Sequence, residues 1–398
     1  MKRNKQLLIS SIAINNIGDL IFDLFIAWEL SSATGKFMNA VYIIGTSVAF
    51  RAMLCFLIGA FVDRHSKKKI MVLSHLSSII IIATFSFLWE MIHQSIIIGI
   101  LLVLLNDINN ELFTRSYVSM TSDMFDENQY IQFQSHANIV TRMIGIGGAA
   151  LVGTFIQYVS SSAVFTIDII TYILSFLLIL QVKYEEPAIQ HSSSTNLLKT
   201  MISDVQYTWM TIIRSSYLLS FIILMFILNI AYGYIPHILP IFKANLAHSA
   251  TLLGLLKSSI TIGEIVGFVF VSKISRYVSR NFKFSMFLNI FVIGAIYFTQ
   301  NPYFLVALFT IYGFSDSLTQ PLFGYTISNL DTVNRGKLLG GIDAIIMFSP
   351  SIGIYVISAI STYNKIIGAI VLSTIFIIGL LIVSFHKDMK NIILDNKI

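Results

Sequence analysis

The chemistry open to this chain lies in charged and amide side chains set inside long apolar runs. Asn15, Asn16, Asp19 and Asp23 share one such run, and positions 16, 19 and 23 fall on one helical face. Asp107, Glu111 and Arg115 sit at i, i+4 and i+8 and form a line along another helix. A charge at the centre of a bilayer costs ~2.5–3.5 kcal/mol on insertion scales, so each of these groups needs a partner or water. Asp19 and Asp23 are therefore candidates for carrying protons or for binding a cationic substrate. A plain hydrogen-bonding role stays open for Asp19. A neighbouring arginine favours the charged carboxylate, whereas loss of water favours the neutral acid. A movement that parts Glu111 or Asp107 from Arg115 would thus take up or release a proton, and a static ion pair is the alternative.

Other embedded charges are more scattered. Lys257 and Glu264 are seven residues apart on one face, Asp316 and Asp343 stand in later runs, and Arg51, Arg142 and Asp168 in earlier ones. None of the eight histidines forms a metal-binding pair such as His-Glu-x-x-His. No phosphate-binding Gly-x-x-x-x-Gly-Lys loop and no nucleophile elbow occur. The residues therefore predict no cofactor, no metal and no enzyme activity. A single cysteine, Cys55, cannot form an internal disulfide.

The elements that must position these groups follow from composition. Of 398 residues, 56% are hydrophobic and 12% charged, against roughly 25% charged in an average soluble domain. That balance excludes a disordered chain, a secreted disulfide scaffold and a nucleic-acid binder, and requires lipid around the apolar surface. Twelve stretches are long enough to span a bilayer as helices: 7–30, 38–62, 70–90, 94–116, 132–157, 162–182, 216–240, 249–272, 284–300, 302–327, 338–360 and 365–385. The first is too long for a signal peptide and carries Asp19 and Asp23, so it reads as a retained span.

With both termini in the cytoplasm, nineteen lysines and arginines fall in inner segments, and Lys36, Lys243 and Lys365 fall outside. The net charge of +6 is thus topological. The longest loop, 183–215, starts as a linker with Pro187 and Ser192–Ser194. From Asn196 onward, Leu198, Met201, Ile202, Val205, Trp209 and Ile212 recur at helical spacing, which predicts an amphipathic helix on the inner surface. The organisation expected is a six-helix bundle over 1–182, this cytoplasmic linker, and a second six-helix bundle with a short tail over 216–398. Equal halves suggest a transporter built from repeats.

The loop after the second span reads Gly59-Ala-Phe-Val-Asp63-Arg64-His65-Ser66-Lys67-Lys68-Lys69. It resembles the signature loop of the major facilitator superfamily, with Ser66 where that family usually has glycine. The resemblance implies an all-α membrane protein with twelve transmembrane helices in two bundles. It also implies that Gly59, Asp63, Arg64, Lys67 and Lys68 form a conformational latch, with Gly59 letting two helices pack closely. The equivalent loop after the eighth span has Gly267, then Val271-Ser272 in place of Asp-Arg, followed by Lys273, Arg276 and Arg280. In this family spans 1, 4, 7 and 10 line the cavity, which makes Asn16, Asn229, Tyr232 and Asp316 substrate candidates. Arg51, Arg142, Asp168, Lys257, Glu264 and Asp343 are expected as a supporting network.

Gly18-Asp19, the stretch from Asn128 to Ser175 with Arg142 and Asp168, and Arg335-Gly336 resemble the bacterial efflux subgroup of macrolide and enterobactin exporters. That implies a monomeric proton antiporter of the bacterial cytoplasmic membrane, exporting an antibiotic or metallophore-like amphipathic molecule, as in multidrug resistance. The fifth span, with Gly145, Gly147, Gly148 and Gly153, lacks the proline common in exporters. A proton-coupled nutrient importer therefore stays open, as does, further off, a membrane enzyme or non-transporting sensor.

Overall fold

The computed structural model describes residues 2–32, 37–62, 64–184, 209–274, 276–329, 338, 342–343 and 345–393. Every regular element among them is helical. Contacts divide the chain into two compact units, Met1–Ser192 with Ala244–Ser258, and Ser193–Lys243 with Ser259–Ile398.

The first unit holds α1 (Lys2–Ser32), α2 (Phe37–Val62), α3 (Lys67–Phe87), the short α4 (Trp89–Gln94), α5 (Ile96–Met124), α6 (Glu127–Met143), α7 (Ala149–Phe155) and α8 (Ser161–Gln181). Here α1 packs along α8, and α5 lies against both α2 and α3. Short polar residues start the helices where the sequence places them: Ser66 caps α3 through the Lys69 amide, Asp126 caps α6, and Ser160 caps α8. Ser66 in the signature loop is thus an N-cap. The Phe25, Phe85, Phe165 and Trp89 rings pack edge-on and tilted between α1, α3, α4 and α8.

Between α6 and α7 the fifth span passes through a π-helical segment, Ile144–Gly148. Such a widened turn leaves backbone groups unpaired. Ser258 satisfies one of them by donating to the Ile146 carbonyl at 2.6 Å. The glycines of this stretch are needed for close approach: a β-carbon on Gly153 would meet the Ala250 carbonyl and the Gly254 backbone.

The second unit holds α9 (Ser216–Tyr234), α10 (Leu239–Leu246, up to Lys243), α11 (Ala250–Ile274, from Ser259), α12 (Val278–Phe298), α13 (Pro302–Ser317), α14 (Gln320–Ser328), α15 (Ser349–Tyr363) and α16 (Lys365–Phe385). The main packing pairs are α12 with α16 and α9 with α15. Asn301 caps α13 with Pro302 behind it, and Asn364 caps α16.

Ten helices are long and apolar enough to cross a membrane among the described residues. The tenth expected span, 302–327, is broken into α13 and α14. Pro321 has no N–H for the Ser317 carbonyl, so the chain tightens into i→i−3 bonds at Leu318, Thr319 and Leu322. The eleventh expected span runs through undescribed residues before α15. Of the expected linker helix, only 209–214 is described; it is helical, with Ile212 buried and Trp209, Met210 and Ile213 exposed.

Candidate functional site

In the first unit the embedded carboxylates are distributed over two clusters. Glu111 lies between two arginines: Arg51 Nε reaches Oε1 at 3.3 Å and Arg115 Nε reaches Oε2 at 3.4 Å. The i, i+4 pair with Arg115 is the one the sequence line predicts. The Arg51 contact comes from α2, sixty positions away. Asp107 is buried one turn earlier, facing Ser47, with Oδ2 unpartnered.

Asp19 is the centre of the second cluster. Tyr172 donates to Oδ1 at 2.9 Å, and Asn15 donates to Oδ2 at 2.7 Å. The Tyr172 hydroxyl also lies 3.3 Å from Asn110 Oδ1. Asn106 and Asn109 are buried on α5. Asp168 is 1% exposed, with Thr171 beside it. A β-carbon on Gly18 would strike Thr171 Oγ1 and Asp168 Oδ1, so Gly18-Asp19 and Asp168 form one packed α1–α8 contact. Asp23, one turn beyond Asp19, is exposed and within electrostatic reach of Arg51 and Lys257. Asn16 donates to Thr141 at 3.0 Å. Arg142 stands in the last turn of α6.

The residues after the second span are tied within the same unit. Lys67 pairs with Asp123 at 3.2 Å, and Lys68 donates to the terminal carbonyls of α8, Leu180 and Val182, at 3.0 and 2.7 Å. Arg64 is exposed. Asp63 and Arg335 lie outside the described residues. No described atom lies within 4 Å of where a β-carbon on Gly59 would stand.

The second unit encloses a cavity of about 390 Å³, within the ~300–1,000 Å³ of small-molecule sites. Asn229 and Tyr232 line it from α9, Glu264 from α11, Tyr312 and Asp316 from α13, and Asp343 from the segment before α15. The break at Leu318–Thr319 brings Thr319 and Gln320 to the same wall, as broken helices do in membrane carriers. Asn229 bonds the Met225 carbonyl of its own helix at 2.8 Å. Glu264 and Asp343, expected as support, share this cavity with Asp316. Tyr312 was not singled out by sequence; its i, i+4 relation to Asp316 was the available signal. No three acidic, histidine or cysteine side chains among the described residues converge as a metal ion requires.

The sequence profile of the Major Facilitator Superfamily matches residues 8–331. No curated protein sequence matches the chain. Among solved structures, a peptide transporter in complex with alafosfalin superposes with TM-score 0.76 at 10% identity, over 98% of this chain and 96% of its own. A bacterial homologue of the iron transporter ferroportin in an inward-facing state gives 0.70 at 11%, over 96% and 98%. The human organic anion transporter MFSD10 gives 0.64 at 11%, over 96% and 99%.

Proposed function

Because the chain belongs to the Major Facilitator Superfamily, a family of multi-pass membrane transporters of small molecules, we propose that it exports an amphipathic substrate from a bacterial cell in exchange for protons. The carrier works by alternating access between a 1–182 bundle and a 216–398 bundle, as a monomer with both termini in the cytoplasm. The observation that supports coupling is Glu111 held between Arg51 and Arg115. Each arginine stabilises the ionised carboxylate. A rearrangement that withdraws one of them from a site poor in water leaves the neutral acid favoured. Glu111 would thus load a proton in one state and release it in the other, with Asp19, Asp23 and Asp107 as the further acids within the unit.

The basic loop from Gly59 to Lys68 serves as the latch between states in this reading. Uptake of a nutrient in company with protons is the alternative. The fifth span, which lacks the proline common in exporters, keeps that alternative open.

Inside-out membrane vesicles containing the chain, energised to acidify their interior, test direction and coupling together. A panel of fluorescent amphipathic dyes should accumulate, nigericin should collapse the accumulation, and Glu111→Gln should reduce it at least about tenfold, the loss of one charge-assisted contact. Accumulation that survives nigericin would refute proton coupling. Accumulation confined to right-side-out vesicles would assign the chain to uptake.

A further inference from the structure

Two grooves leave the start of α3 within the first unit, one on either side of that helix. The first, about 460 Å³, lies between α3 and the end of α8, with Lys68, Val72 and Leu180 on its walls. The second, about 340 Å³, lies between α3, α2 and α5, with Phe61, Ile70 and Leu112. Both include Ser66, Lys69 and Leu73. Leu73 is 61% exposed and forms the ridge between them. Beyond it Leu76 and Ile80 on α3 and Leu177 on α8 are exposed as well, as suits side chains that meet hydrocarbon.

Positive charge gathers where the grooves meet. The helix opens with Lys67, Lys68 and Lys69 and has no acidic residue in its first turn. Lys67 is committed to Asp123, and Lys68 to the Leu180 and Val182 carbonyls. Lys69 is exposed, and its ammonium has no partner among the described residues. The positive end of the helix dipole adds to its charge. The apolar span starts at Lys67, which puts Lys69 at the depth of lipid headgroups.

One unpaired cation between two largely apolar grooves is complementary to a molecule with one anionic group and two apolar chains. A zwitterionic headgroup would bring a second ammonium toward Lys69. A single-chain lipid would fill one groove, and a free anion neither. We propose that the start of α3 binds one diacyl phospholipid of net negative charge, its phosphate on Lys69 and one acyl chain in each groove. The site is separate from the transport reading, since neither the direction nor the coupling of transport enters the argument.

Radiolabelled phosphatidylglycerol, titrated into the delipidated full chain in nonionic detergent, should bind saturably at one per chain. Unlabelled phosphatidylglycerol should displace it, whereas phosphatidylcholine and phosphatidylethanolamine with the same chains, and inorganic phosphate, should not. Lysophosphatidylglycerol, which has a single chain, should compete at least about tenfold less well. Lys69→Gln should weaken binding about fivefold and Lys69→Glu roughly thirtyfold, while Lys69→Arg should stay within about twofold. Size-exclusion profiles show whether these variants are folded. If they are not, the lipid series on the unaltered chain decides alone. Equal displacement by the zwitterionic lipids would reduce the contact to ordinary lipid packing and overturn the site. Equal displacement by inorganic phosphate would make it a plain anion site, equal competition by the single-chain lipid would remove the second groove from it, and full affinity in folded Lys69→Glu would overturn the placement of the headgroup.

Discussion

The two units treat buried acid differently. In the first, Glu111 is flanked by two arginines, Asp19 by a tyrosine and an asparagine, and Asp23 lies within reach of Arg51 and Lys257. In the second, Glu264, Asp316 and Asp343 share a cavity whose described lining supplies hydroxyls and amides and no cation. A carboxylate with its counter-ion built in can change partners without help from outside, which suits coupling. In the proposed reading the first unit holds the proton chemistry, and the cavity of the second takes part in recognition.

The strongest way to break that contrast is to place a further fixed charge in the second cavity. Gln320 lines it from the start of α14 and is exposed enough to accept a longer side chain. Gln320→Arg should lower proton-driven dye accumulation at least about tenfold, because it changes the charge and shape of the wall beside Asp316. Vesicle uptake measures this directly, and unchanged accumulation would remove the cavity from the transport path.

A smaller effect sharpens the contrast from the other side. Asp19→Asn keeps the shape of the α1 cluster but offers one acceptor where the carboxylate offers two, so Tyr172 and Asn15 cannot both donate to it. Proton-driven accumulation should fall at least about tenfold, the worth of a lost charge-assisted bond. Unchanged accumulation would leave Asp19 with a structural role alone.

Much of this arrangement is legible in the residues alone, and the reason it stops is distance along the chain. Apolar run length gave the spans, and Ser66, Asp126, Ser160, Asn301 and Asn364 mark helix starts by the hydrogen bond each can accept. The Glu111–Arg115 contact follows from helical pitch. Arg51 on Glu111 and Tyr172 on Asp19 are separated by 60 and 153 positions, and pairing at that range depends on how helices pack, which periodicity does not encode. Pro321 did carry the break in the tenth span, but a long apolar run outweighed one imino acid. The grouping of Glu264 with Asp316 needed the close crossing of α11 and α13, where a β-carbon on Gly313 would meet the Ile260 carbonyl.

The contrast extends, with the smallest expected effect, to how each unit is fastened near the basic loops. The first adds an ion pair, Lys67 on Asp123 at 3.2 Å, both partly exposed, to the Lys68 bonds on the α8 carbonyls. In the second no ion pair is described there: the segment after α16 lies on the start of α12, where the Ile392 amide donates to the Ser279 hydroxyl at 2.7 Å and Lys283 donates to the Lys390 carbonyl at 2.8 Å. Met389 and Ile392 are buried by this contact. An exposed pair is worth ~0.2–1 kcal/mol and weakens as salt rises. A buried hydrogen bond contributes a similar ~1 kcal/mol but does not depend on salt in that way. Ser279→Ala should therefore speed amide exchange at Ile392 severalfold at every ionic strength, while exchange near Asp123 in the unaltered chain should quicken only as salt is raised toward about 1 M, where screening acts within ~3 Å. Salt-sensitive exchange at Ile392 in the unaltered chain would mean that the tail, too, is held by charge.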